Sequence, residues 1–104
     1  MIYKSRNTDG SLVAVKVTIP HLLTPPHDAK REVQLLREAA SPRVVPLLET
    51  VSLDEGRLIL VFPFMKYDLE QLLRRDALTA AQTRSHLRDM FSALAHIHEL
   101  GIIH

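Results

Sequence analysis

Apolar and polar residues change their spacing three times along this 104-residue chain, and each change marks a new kind of element. Ile2 and Tyr3, the turn-forming run Asn7-Thr8-Asp9-Gly10-Ser11, and then Leu12 to Ile19, rich in β-branched residues, predict two strands joined as a hairpin. Pro20, Pro25 and Pro26 punctuate the next stretch. From Asp28 to Ala40, Val33, Leu35, Leu36 and Ala39 recur at helical spacing and predict a short amphipathic helix that ends before Ser41-Pro42. Val44 to Leu53, broken once by Pro46, and Arg57 to Phe62 flank Asp54-Glu55-Gly56, which predicts a second hairpin.

Past Pro63 the alternation ends. Asp68 to Arg75 predicts one or two helical turns, closed by the basic pair Arg74-Arg75. Thr79 and Gln82 have the spacing of a capping box and open a long helix. Its expected buried stripe is Leu87, Met90, Phe91, Leu94 and Ile97, opposite Ser85, Arg88, Asp89, Ser92 and Glu99, and Gly101 suits its end. Strands with one helix, then helices alone, predict an α+β fold with a compositional break near Lys66. The expected architecture is a small antiparallel sheet carrying one packed helix, followed by a helical segment.

Composition narrows the chemistry. With 46% apolar and 24% charged residues the chain has a globular balance, which excludes a disordered or collagen-like polymer. Thirteen Lys and Arg oppose twelve Asp and Glu, so no electrostatic footprint for nucleic acid or an anionic membrane is expected. The absence of cysteine excludes disulfide scaffolds, zinc ribbons and thiol catalysis. No apolar run approaches the ~18–20 residues of a membrane span, and Met1 to Arg6 lacks the apolar core of a signal peptide, so an intracellular location, cytoplasm or nucleus, is expected. His96 and His98, two apart on a helix, turn to nearly opposite sides and are not expected to share a metal ion.

The residues that invite chemistry are Val13-Ala14-Val15-Lys16-Val17 and Glu32. Alternation along a strand places the valines on one face and Ala14 with Lys16 on the other. A lone lysine there is ordinarily a solvated charge. Glu32, however, shares the helical stripe of Leu35, Leu36 and Ala39, which sets a carboxylate on or beside the buried seam. An unpaired buried carboxylate costs about 3–5 kcal/mol. A helix packed across the Lys16 face would pair the two; otherwise Glu32 is a surface residue at the edge of its stripe.

Val13-Ala14-Val15-Lys16, a Glu in the next helix and the ending Gly101-Ile102-Ile103-His104 resemble the eukaryotic protein kinase domain, and the resemblance runs through the whole chain. It implies a partial domain: residues 1–62 as small-lobe strands and helix, 63–68 as the hinge, and 69–104 as the start of the large lobe. It also implies roles. Lys16 would contact the α- and β-phosphates of ATP, held by Glu32, while Ala14 roofs the adenine. Leu60 to Leu69 looks like the last small-lobe strand, the gatekeeper Phe62 and the hinge. There the Pro63 carbonyl and the N–H and C=O of Met65 would meet the adenine edge, and proline is permitted because it keeps its carbonyl. Asp68 would lie at the ribose edge, and capping the following helix explains it equally well.

Arg31 to Leu36, Ser41 to Val45 and Tyr67-Asp68-Leu69 look like the cyclin-dependent kinase group and its activating-kinase relatives. Pro26-His27-Asp28-Ala29-Lys30-Arg31-Glu32 occupies the place of that group's cyclin-binding motif. Lys30 replaces an apolar contact, which opposes binding of a cyclin-like activator. With Gly10, Gly56 and Gly101 as the only glycines, no Gly-x-Gly-x-x-Gly loop is present, and His104 would begin the His-Arg-Asp motif. The resemblance thus implies ATP and magnesium as cofactors of the complete domain and a protein hydroxyl as its substrate, with no catalytic residue and no magnesium ligand among these 104 residues. The chain alone is expected not to turn over. A second class of function is a catalytically inactive kinase-like module that binds a partner through Pro26 to Arg37. The long helix, packed by further large-lobe elements in a complete domain, is expected to leave Leu87, Phe91, Leu94 and Ile97 partly exposed, which makes the isolated chain poorly soluble or molten.

Overall fold

In the computed structural model, which describes residues 1–22, 28–53 and 56–103, the chain leaves its first strand through a turn fixed by local hydrogen bonds. Asn7 N–H donates to the Ser11 carbonyl at 2.8 Å and Gly10 N–H to the Asn7 carbonyl at 3.0 Å. Gly10 sits at φ 89°, a left-handed conformation that glycine adopts without a Cβ clash. The Ser11 hydroxyl and amide donate to the Asp9 carboxylate at 2.6 and 2.9 Å, and these bonds, the hydroxyl's first, hold its carboxyl below the usual carboxylate range.

The turn joins β1 (Ile2–Arg6) to β2 (Leu12–Thr18), paired antiparallel with Ile2 opposite Lys16 and Lys4 opposite Ala14. With β3 (Glu49–Ser52) and β4 (Leu58–Pro63) they form a four-stranded antiparallel sheet in the order β1-β2-β4-β3. The centre of this sheet is the core: Leu60 is fully buried, and Val13, Val61 and Thr18 are buried around it. The Thr18 hydroxyl is satisfied by the Leu58 carbonyl at 2.9 Å.

Of the strand boundaries that differ from the sequence expectation, two have a clear physical reason. The strand expected from Val44 begins only at Glu49, because residues 41–44 turn, with Val44 N–H on the Ser41 carbonyl, and Pro46 has no N–H to give a ladder. Leu48 N–H makes the first bond to β4, at 2.8 Å to the Val61 carbonyl. At the other end β4 runs one residue further than expected, through Pro63 opposite Val13, a strand terminus where a missing donor is tolerated. The expected turn at Asp54-Glu55 and the prolines Pro25 and Pro26 lie outside the described residues.

Between β2 and β3 stand a 3-10 turn (Pro20–Leu22) and helix α1 (Ala29–Glu38). Asp28 caps α1 by accepting from Arg31 N–H at 3.1 Å. Ala29 and Ala39 are buried at its two ends, and Glu32, Val33, Leu35 and Leu36 are half-buried between them, the stripe that the spacing predicts. Residues Met1–Phe64 form one compact unit and Met65–His104 a second.

In the second unit both helices begin with reciprocal caps. For α2 (Leu69–Arg74), Gln71 N–H donates to Asp68 Oδ1 at 2.7 Å and Asp68 N–H to Gln71 Oε1 at 3.4 Å. For α3 (Ala80–Glu99), Gln82 N–H donates to Thr79 Oγ1 at 3.1 Å and Thr79 N–H to Gln82 Oε1 at 2.8 Å. Gly101, at φ 77°, ends α3 by donating to the His98 carbonyl at 3.0 Å, while Ile102 N–H reaches the Ile97 carbonyl at 2.9 Å. The α3 stripe is partly exposed, as expected of Leu87, Phe91, Leu94 and Ile97: Leu87 is 46% exposed and Phe91 67%, Leu94 and Ile97 are half-buried, and Met90 is also 46% exposed. One six-residue and one twenty-residue helix supply too little apolar surface to cover that stripe.

This exposed face predicts that the isolated chain binds a hydrophobic dye and melts over a broad range; a sharp cooperative transition at micromolar concentration, without dye binding, contradicts it. Leu60→Ala, at the one fully buried large side chain among the described residues, is expected to cost about 2–5 kcal/mol of the stability of the first unit, read by denaturant unfolding.

Candidate functional site

The period of β2 decides which side chains meet. Because opposite residues in an antiparallel pair share a face, Ala14, Lys16 and Thr18 lie on one face with Ile2 and Lys4 of β1, Leu58, Leu60 and Phe62 of β4, and Thr50 and Ser52 of β3. Helix α1 lies on this face. Lys16 Nζ donates to Glu32 Oε1 at 2.8 Å and to Oε2 at 3.1 Å, and Arg37 Nη2 reaches Thr50 Oγ1 at 3.5 Å.

Lys16 is therefore not simply a solvated charge, and Glu32 is not an unpartnered residue at the edge of its stripe. Their side chains stay 33% and 38% exposed, so solvent screens the pair, and it contributes about 0.2–1 kcal/mol rather than the cost attached to a buried unpaired charge. Its effect is geometric. An ammonium has three N–H groups, so the two contacts to the carboxylate leave at least one N–H of Lys16 uncommitted to Glu32. Glu32 also sits in the first turn of α1, where the helix dipole favours a negative charge.

The first unit brings together Ala14, Lys16, Glu32, Phe62 and Pro63. Phe62 stands directly opposite Ala14 on the shared face, and Pro63 comes next at the strand end. Phe64 N–H continues the ladder to the Leu12 carbonyl at 3.3 Å, and Lys4 Nζ lies 4.6 Å from the centre of the Phe64 ring. Met65, largely exposed, and Asp68 belong to the second unit. Asp68 spends a carboxylate oxygen on Gln71 N–H, the capping role. Lys30 is exposed on α1, whereas Pro26, His27 and His104 lie outside the described residues.

Ile2 was not singled out by the sequence, yet it faces the same side as Lys16, directly opposite it. The signal that finds it is the hairpin register, set by the length of the Asn7 to Ser11 turn rather than by any feature of Ile2 itself. Among the described residues no cluster of three His, Cys, Asp or Glu is placed to hold a metal ion, and no helix is long and apolar enough to cross a membrane.

Comparison with known proteins gives a consistent picture. The sequence matches the protein kinase domain over residues 1–104. It is 34% identical over 74 residues to the probable CTD kinase subunit alpha homolog of Encephalitozoon cuniculi, covering 71% of this chain and 22% of that protein. It is 31% identical over 111 residues to cyclin-dependent kinase 7 of Xenopus laevis, covering 99% of this chain and 31% of the relative. Cell division control protein 2 homolog 2 of Trypanosoma brucei brucei is 40% identical over 105 residues, 95% of this chain and 29% of its own length. The chain spans about a third or less of the length of the curated relatives it matches.

A double-mutant cycle with Lys16→Met and Glu32→Gln is expected to return a stabilising coupling of about 0.2–1 kcal/mol that shrinks as salt is added, measured by denaturant unfolding. A coupling of several kcal/mol would mean that the pair is far less solvated than its exposure indicates.

Proposed function

The chain belongs to the protein kinase domain family, resembling its cyclin-dependent members, and on that premise we propose that the sheet face of the first unit binds ATP for a Ser/Thr protein kinase. The observation that carries this reading is the Lys16–Glu32 bond on the same face as Ala14 and Phe62. In it the remaining N–H of Lys16 meets the α- and β-phosphates. Glu32 fixes the direction of the ammonium and neutralises it while the site is empty.

Ala14, with no side chain beyond Cβ, lets the base lie flat against the sheet. Ile2 adds apolar surface near the phosphate end, and Phe62 closes the back of the base site. The Pro63 carbonyl, at the end of β4, is the acceptor for the base edge. The family uses ATP with magnesium, which shields phosphate charge when bound. The described residues form no cluster that fits a magnesium ion, so no magnesium ligand is assigned among them.

Transfer of the γ-phosphoryl group to a protein hydroxyl belongs to the complete protein, which we place inside the cell, in cytoplasm or nucleus. A cyclin-like activator would have to accommodate the exposed charge of Lys30, so α1 is a weakened cyclin contact.

Titration calorimetry with ATP and with adenosine tests the site. Lys16→Met is expected to weaken ATP by about 10- to 100-fold, the loss of a charge-assisted hydrogen bond, and to leave adenosine unchanged. In a complete protein carrying this segment the same substitution abolishes turnover. A chain that ignores both ligands yet binds a partner helix through Pro26 to Arg37 contradicts this reading and is instead an inactive kinase-like module.

A further inference from the structure

Side chains tie helix α1 to the sheet near both of its ends. Glu32, in its first turn, takes the Lys16 ammonium at 2.8 and 3.1 Å, and Arg37, in its last turn, donates through Nη2 to Thr50 Oγ1 at 3.5 Å. The strand register shows where these contacts fall. Lys16 of β2 stands opposite Leu60 of β4, and Leu60 stands opposite Thr50 of β3, so the three residues form one row across the sheet. Leu60, the middle of that row, is fully buried. The helix is thus fastened on either side of the most deeply buried large side chain among the described residues.

The spans agree. Two strand spacings separate Lys16 from Thr50, about 10 Å, and the helix rises about 7.5 Å between Glu32 and Arg37. Long side chains cover the difference. A helix held at Glu32 alone is free to pivot about that residue, and a pivot moves the carboxylate out of line with the ammonium. A second attachment, on a different strand, removes that freedom. At 3.5 Å the Arg37 bond is long and weak by itself, so its weight is positional. A cation in the last turn also suits the helix dipole, but that role needs no acceptor on the sheet. It leaves unexplained why the guanidinium meets a hydroxyl in the same row as Lys16.

We propose that Arg37 is a positioning residue for the phosphate-binding ammonium: by holding the far end of α1 on Thr50 it keeps Glu32 in line with Lys16. The proposal rests on the nucleotide-binding reading and adds to it a residue that touches no ligand and acts through Glu32. All four residues belong to the first unit.

The distinguishing measurement is the affinity of the full chain for ATP and for adenosine. Arg37→Met and Thr50→Val are each expected to weaken ATP about two- to fivefold, the size of one neutral-acceptor hydrogen bond, and to leave adenosine unchanged. The double variant loses no more than either single one, because the two side chains act as one contact. Thr50→Ser, which keeps the hydroxyl, retains the affinity of the unmodified chain. In a Glu32→Gln background Arg37→Met has no further effect, since the carboxylate it positions is gone.

A loss shared equally by adenosine would mark a general loosening of the sheet and overturn the proposal. So would a loss in Arg37→Met with none in Thr50→Val, which is the dipole role alone, or an undiminished loss in the Glu32→Gln background, which would make Arg37 a phosphate ligand. No change in either variant overturns it as well. Hydrogen exchange gives a readout independent of nucleotide: the amides of residues 35–38 are expected to exchange faster in Arg37→Met and in Thr50→Val, with the α3 amides unaffected. Unchanged rates in α1 contradict the fastening itself. If the unmodified chain binds neither ATP nor adenosine, the nucleotide reading fails, a result separable from the exchange result, and the role of Arg37 toward the phosphates falls with it.

Discussion

The bond between Lys16 and Glu32 is the interaction on which the geometry of the first unit turns. A strand and a helix each follow their own period, and nothing in either period sets their relative placement. The pair links them: the only lysine of β2 meets the only carboxylate of the half-buried stripe of α1. Once they meet, the helix is assigned to the face of the sheet that carries Ala14, Leu60 and Phe62, and Arg37 reaches Thr50 as a second fastening. At a third or more exposed, neither partner stabilises the fold by much. The pair selects an arrangement that apolar packing alone would leave less well specified, and it leaves a cation directed and partly neutralised beside Ala14 and Leu60.

Stability comes from elsewhere. Leu60, Val13 and Val61 at the middle of the sheet carry the burial of the first unit, and the site residues sit at the margin of that core. The rigid element therefore lies beneath the site and the polar groups lie on its surface, the arrangement in which a charged side chain can be both fixed and accessible. The second unit is organised differently. Its helices are set by local hydrogen bonds, at Asp68, at Thr79 and at Gly101, and their apolar side chains remain in contact with water.

Features governed by neighbours in sequence were legible from the residues alone. Asp68, Thr79 and Gly101 mark their helix ends with side-chain and backbone chemistry that operates over three or four positions, and Asn7 to Ser11 marks the hairpin in the same way. The alternation in Val13 to Val17 and the helical spacing from Glu32 to Ala39 raised the ion pair as one of two readings, and the packing of the helix decided between them. Features set by distant residues were not. The register that puts Ile2 opposite Lys16 and the shortening of β3 by the turn at residues 41–44 with Pro46 depend on what lies across the sheet. An apolar stripe predicts a surface that would gain from burial; it does not supply the partner.

The most direct test of the central claim is acylation by an ATP acyl phosphate, which transfers its acyl group to an amine lying beside the bound phosphates and releases ATP. Mass spectrometry of the labelled chain should find the acyl group on Lys16 in preference to Lys4, Lys30 and Lys66, and an excess of free ATP should suppress that labelling. Even labelling of the four lysines, or labelling of Lys16 that free ATP leaves untouched, would contradict a nucleotide site built around the Lys16–Glu32 pair.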